Sequence, residues 1–332
     1  MKIFKRFFQF IGVILLALVL FFVFLKVNGY VKLKDFYSHA GKEFMIPGLF
    51  ENFIPQGMEY DDENESFFIS GYNSKGDKSP IYLVDKDGNS KKLFLKNSKG
   101  EDAEDHCGGV TIYKNYLLVS GGNGASTKEQ FIYTFNLKDF YDAKDGDSIT
   151  SLAESDVYVG TAFVNAVDNI LYVGEFNHDD SELYNVVKTT NRSWMPSDCK
   201  ALMMAYELND DGTINKSPIK AYAIPDDVQG MLITKDGETV FSTSYGINPS
   251  HLPFYKTPSE ATSNIELDGV DVPLYYYSDS LLVKNVTLAP MCEAIVYHND
   301  KIYTLNESSS NRYMFGLAFR GSYVYSYKYD EK

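Results

Sequence analysis

Glu293, in the phrase CEAI, stands at the same point of a repeated pattern as Gln56 and Gln229, each in the phrase QGM. Gly108 and Ala162 hold that point in two further repeats, and His106 and Cys107 come just before Gly108. If these positions converge, one carboxylate meets two amides and an imidazole. Glu293 and His106 are then candidate catalytic groups: a desolvated carboxyl can serve as general acid or base, with Gln56, Gln229 and His106 orienting a substrate or a water. The same groups could instead satisfy one another and the waters of a wet channel. A second concentration of polar side chains is GEFNHDD, Gly174 to Asp180. Glu175, His178 and Asp179 could ligate calcium or zinc, act in hydrolysis or contact a ligand, although their spacing matches no diagnostic site and a solvated acidic loop would read the same way. The metal and cofactor therefore stay unknown, with calcium open and no motif behind it.

Elements must bring such distant residues together, and the chain repeats itself in a way that can. Pro55–Asn73, Cys107–Asn123, Thr161–Asn177, Val228–Gly246 and Cys292–Ser308 each read as a small-residue start, an apolar strand, a polar turn and a second strand. Their starts lie roughly 50 to 67 residues apart, the period of a propeller blade. A third run rich in Tyr and Phe follows each hairpin: PIYLVDKDG, QFIYTFNLKD, ALMMAYELNDDG, VPLYYYSD and SYVYSYKYD. Fourth strands are expected in KKLFL, SDVYVG, IKAYAIP and NVTLAP, each leading into the next hairpin. The last blade runs out of chain, so KEFMIPGLF, Lys42 to Phe50, is expected to supply its fourth strand and close the ring, removing the open edges of separate sheets. The fold class is thus all-β, a propeller of five four-stranded blades. A sixth blade is the alternative if the segment from Gly246 to Ser278, with its IELDGVDVP hairpin, stands alone.

First strands of such a ring line its axis, and connections between second and third strands gather at its ends. Those connections are expected to be long in blades three and four, NHDDSELYNVVKTTNRSWMPSDCK and GINPSHLPFYKTPSEATSNIELDGVDV, with ESSSNRYMFGLAFRG in blade five. Long loops on a rigid ring are frequent binding surfaces. Trp194, His251, Phe254, Tyr255 and Tyr313 beside Arg192 and Arg312 suit stacking on a sugar or other flat ligand, or else staple the loops to the ring.

The phrases QGM, CEAI and ILYVGE resemble the blade pattern of gluconolactonase-like and strictosidine-synthase-like propellers. That resemblance implies a six-bladed ring and, in calcium-dependent members, an axial metal bound by a glutamate of the first such phrase. Gln56 stands at that place here, and Glu293 is the carboxylate retained at the level. No G-x-S-x-G elbow, H-E-x-x-H helix, glycine-rich phosphate loop or EF-hand pattern occurs.

Phe7 to Leu25 holds 19 residues with Gln9 as its only strongly polar member. As a helix it would be roughly 28 Å long, the thickness of a bilayer core. No A-x-A site follows it, so residues 1–30 are expected to be an uncleaved anchor, with 31–332 the extracytoplasmic ring. Lys2, Lys5 and Arg6 before it favour a cytoplasmic N-terminus. The net charge of the chain is −14, and the first 26 residues carry basic but no acidic side chains, so the ring is more acidic still. Nucleic acid is therefore excluded as a partner. Cys107, Cys199 and Cys292 are too few and too scattered for a disulfide framework. Binding of a small molecule, a glycan or an envelope protein at the long-loop face is the first expectation. The second is a lactonase-like or other hydrolase around Glu293.

Overall fold

A computed structural model describes residues 2–122, 130–178 and 199–328. Five sheets, each built on a blade of four antiparallel strands and two of them carrying additional strands, form a β-propeller. Blade one is Phe53–Asp61, Ser66–Asn73, Pro80–Val84 and Ser90–Lys96; blade two is Val110–Tyr113, Tyr116–Gly121, Phe131–Asn136 and Ala153–Asp156. Blade three is Phe163–Val167, Ile170–Gly174, Ala201–Glu207 and Lys220–Ile224; blade four is Val228–Ile233, Glu238–Thr243, Ser250–Lys256 and Leu282–Leu288. Blade five takes Cys292–His298, Lys301–Asn306 and Tyr323–Lys328, and its outer strand is Ala40–Met45.

That outer strand closes the ring as expected, but earlier in the chain than Lys42–Phe50. Ala40 pairs with Tyr327 and Met45 with Tyr323, and the strand stops where Ile46 turns inward, its N–H donating to the Ser322 carbonyl. The fourth strand of blade two likewise lies at Ala153–Asp156, before the expected SDVYVG; Val157 and Val159 are buried where the chain crosses to blade three.

Blade four differs more. Its third strand is SHLPFYK, paired on both sides, and the Tyr-rich VPLYYY run instead lies parallel to Lys220–Ile224 at the edge of blade three. With Ser263–Leu267 it forms the IELDGVDVP hairpin, which thickens blade three to six strands. No sixth blade is formed among the described residues. Ser148–Thr150 similarly adds a parallel strand to blade one.

Third strands are buried on both faces because each blade is sandwiched between two others, so they read as near-continuous apolar runs. All five residues of Pro80–Val84 and the first six of Ala201–Glu207 are buried. Separate apolar clusters fill the gaps between blades, such as Phe68, Leu117, Phe135 and Phe140 between blades one and two. Each such fully buried side chain contributes about 1.5–3 kcal/mol.

Gln-Gly in the repeat has a steric cause. A Cβ on Gly57 would come within 2.9 Å of the backbone of Gly109 and Val110, one on Gly109 within 2.4 Å of the Val164 nitrogen, and one on Gly230 within 2.7 Å of the Glu293 carbonyl. Each glycine thus faces the main chain of the next inner strand. Near the axis of so small a ring there is no room for a side chain at that level.

Before the ring, Lys2–Lys32 is one helix with most of its apolar residues exposed between Phe4 and Val31, and it is long and apolar enough to cross a membrane. Burial begins at Gly29 and Leu33. The short helix Lys34–His39 then lays Phe36 on Tyr327 with ring centroids 5.6 Å apart.

Candidate functional site

Inner strands begin, and second strands end, at one end of the ring, where a cavity of about 390 Å³ opens on the axis. Two tiers of residues line it. The first comes from the starts of inner strands and the residues before them: Gln56, His106, Ala162, Gln229 and Glu293. Gly108 belongs to this level but leaves the lining, since even a Cβ there would lie 2.4 Å from the Ala162 carbonyl. A second tier lies directly after three second strands: Glu175 follows Ile170–Gly174, Ser244 follows Glu238–Thr243 and Glu307 follows Lys301–Asn306.

Gln56 ties the two tiers together. Its Nε2 donates to Glu307 Oε2 at 2.7 Å, and its Oε1 lies 2.7 Å from His106 Nε2. Burial lowers the His106 pKa to about 4, helped by the Arg312 charge, so the ring is neutral and donates from Nε2 to the amide oxygen. Tyr72 stacks on His106 with centroids 4.5 Å apart and accepts a 2.7 Å hydrogen bond from Arg312 Nη1 at its hydroxyl. Arg312 is exposed at the rim, and Tyr313 beside it lines the cavity.

Two carboxyls at the axis are strongly perturbed. Glu307 is pushed up to about 8 by burial, against the lowering effects of the Gln56 hydrogen bond and Arg312. Glu293, 2 % exposed, is raised well above the ordinary carboxyl range by burial and then by Glu307. Its Oε1 has no hydrogen-bond partner among the described residues. At neutral pH both are predominantly protonated, which places two acidic O–H donors among amides and a neutral imidazole. Glu175 is 1 % exposed and its Oε1 accepts the Leu202 N–H at 2.8 Å, which holds it against its own blade.

These shifts have opposite consequences for stability. A carboxyl raised to about 8 is protonated only in the folded chain between the ordinary carboxyl pKa and pH 8, so its contribution falls as pH rises through that window. A histidine lowered to about 4 lets the unfolded chain bind the extra proton, so stability falls as pH drops from 6.5 toward 4. Glu307→Gln is expected to match the parent in melting temperature near pH 4 and to exceed it at pH 8, by about 1–4 kcal/mol of stability. A difference that does not change with pH would contradict the assignment.

Other expected site residues lie elsewhere. His178 lines no part of the cavity; its Nδ1 is 2.7 Å from Asp227 Oδ1 and its ring stacks on Tyr245, which does line it. Tyr255 is not a loop residue: it sits in the third strand of blade four, buried against Phe241 and Tyr277. The alternating LPFY run forms a strand there, and the ligand contact expected of Tyr255 is replaced by a core contact. Phe254 is fully buried in the same strand. Asp179, Arg192 and Trp194 lie outside the described residues. Among the described residues, no group of three or more His, Cys, Asp and Glu side chains is placed to hold a metal ion. The three cysteines are buried and form no disulfide.

Sequence reasoning missed Glu307 and Ser244. The signal was present: ILYVGE and IYTLNE end alike, and both glutamates face the axis.

No family model matches the chain, and no curated protein matches it. Solved structures do. One is hydrazine synthase of Kuenenia stuttgartiensis, at 10% identity over 76% of this chain and TM-score 0.38; the chain spans 55% of that one. Another is the PQQ-bound form of the aldose sugar dehydrogenase from Streptomyces coelicolor, at 13% identity over 80% of this chain and 76% of that chain, TM-score 0.43. A third is a glucose dehydrogenase-type oxidoreductase from Thermus thermophilus, at 9% identity over 86% of this chain and 98% of that chain, TM-score 0.45. This chain is itself a five-bladed β-propeller preceded by one apolar helix.

Proposed function

We propose that the protein is a membrane-tethered extracytoplasmic propeller that binds an uncharged, hydroxyl-bearing small molecule, of the size of a sugar unit, in the axial cavity. The observation that carries this reading is the composition of the cavity wall. Gln56, Gln229, neutral His106 and the raised carboxyls of Glu293 and Glu307 offer donors and acceptors, and Glu175, held by the Leu202 N–H, adds a further acceptor to the wall. The volume is within the range of small-molecule sites. Tyr72, Phe176, Tyr245 and Tyr313 add flat apolar surface on which a sugar ring can rest. Arg312 at the rim is the remaining contact for a larger glycan or an envelope protein.

Thermal melting of residues 31–332 with glucose, N-acetylglucosamine and glucono-1,5-lactone tests it. A rise in melting temperature with at least one of these probes, absent in Gln56→Ala, is expected; no rise with any of them would count against the reading.

A second reading is a lactonase-like or other hydrolase, favoured by the pairing of Glu293 and Glu307 in one cavity. Hydrolysis by acid and base catalysis uses two carboxyls in one site, and burial raises both here, Glu293 further through Glu307. Glu293→Gln separates the two, because it keeps size and hydrogen-bonding reach while deleting the ionisable group. Binding alone should change by less than about tenfold, whereas a hydrolase relying on Glu293 should lose turnover by about 10²–10⁴-fold.

A further inference from the structure

The helix and the cavity mouth share one loop. After the second strand of blade five, Glu307 and Tyr313 line the cavity, Met314 follows, and Phe315–Phe319 forms a short helical turn. On that turn the long N-terminal helix docks: a Cβ on Gly29 would lie 2.9 Å from both the Ala318 carbonyl and the Phe319 ring, so only glycine lets the helix seat this closely. Arg320 stands over the Tyr30 ring at 4.6 Å, and the Tyr37 hydroxyl donates to the Phe319 carbonyl.

Distance then constrains the ring. The unbroken apolar run ends at Leu25, and four helical steps, about 6 Å, carry the chain from there to Gly29. That is about the depth of one headgroup layer. Around the mouth, Tyr245, Ile247 and Met314 are 44%, 73% and 51% exposed, and Lys26 and Lys32 on the docked helix and Arg320 beneath it are exposed too. At the far end the turns read DDENE, DKDG, NDDG and KDGE. Exposed Glu101, Asp102 and Glu104 follow the fourth strand of blade one at the mouth end, so the lipid contact is carried by the apolar rim and the docked helix with its basic residues, not by a charge difference between the two ends.

We infer that the mouth-bearing end of the ring rests on the bilayer that the helix spans, so that the axial cavity is entered from the membrane surface. This rests on the proposal that the helix is a membrane span. Because the native cysteines are buried, an introduced cysteine can be labelled selectively with an environment-sensitive fluorophore. The full chain carrying Ile247→Cys, Met314→Cys or, at a far-end turn, Val270→Cys is reconstituted into vesicles of phosphatidylcholine and phosphatidylglycerol containing headgroup-proximal spin-labelled lipid. Loss of fluorescence at Ile247→Cys and Met314→Cys, with none at Val270→Cys, is the expected result. Retention in the vesicles through an alkaline wash with equal quenching at all three, or none at the rim positions, would overturn this inference while leaving the span intact. Release by the wash would overturn both.

Discussion

A chain that begins at residue 51 is expected to lose cooperative folding, whereas one that begins at residue 31 should be a soluble, fully folded ring. The difference lies in Ala40–Met45, which pairs along Tyr323–Lys328, and in Phe36, which is sealed against Tyr325 and Tyr327. Without them blade five keeps three strands and exposes the edge of Tyr323–Lys328, and the first and last parts of the chain are no longer joined. Closing a loop of nearly the whole chain opposes this pairing entropically, yet that cost grows only logarithmically with length. The six-residue ladder and its aromatic cover are expected to exceed it. Thermal unfolding of the two proteins by circular dichroism checks this: a shared midpoint would show that the strand closes nothing.

The second large effect is expected at Gly109. Replacing it with Val places atoms against the Val164 nitrogen and the Phe163 backbone, neither of which is the movable end of a flexible side chain. Overpacking in a core usually costs about 1–3 kcal/mol. Here the obstacle is the next inner strand itself, so the loss should reach or exceed the upper part of that range, and the variant should melt well below the parent. Gly237→Ala is the comparison, since a Cβ at that turn meets nothing, although its positive φ of 80° carries a smaller backbone strain. Equal melting temperatures for the two variants would refute the account of the repeated glycines.

Much of this architecture was legible because a propeller writes its period into the chain. The QGM and CEAI phrases located the inner strands, and the strand pattern of KEFM just before the first hairpin pointed to closure from the N-terminal side. Blade four was misread for a physical reason: SHLPFYK and VPLYYY have equal strand character, and what decides between them is which edge each meets in space. VPLYYY meets Lys220–Ile224 through parallel pairing, which no local pattern announces. The site divides the same way. Gln56, Gln229, Glu293 and His106 line the cavity because the repeated phrases place them at or just before the starts of inner strands, and that placement is readable from the repeat. Glu307 was missed because it belongs to a second tier, visible only once the ends of second strands are compared. Tyr255 was chosen for its aromatic type within an assumed loop, and burial in a strand removes it from the surface.

Binding at the axis is the central claim, and a crystal structure of residues 31–332 soaked with glucose and with glucono-1,5-lactone tests it most directly. The account predicts a bound probe on the axis, in hydrogen-bond contact with Glu293 and with Gln56 or Glu307. A probe held at the far end or on the outer strands of a blade, with only water between Gln56 and Glu293, would contradict it.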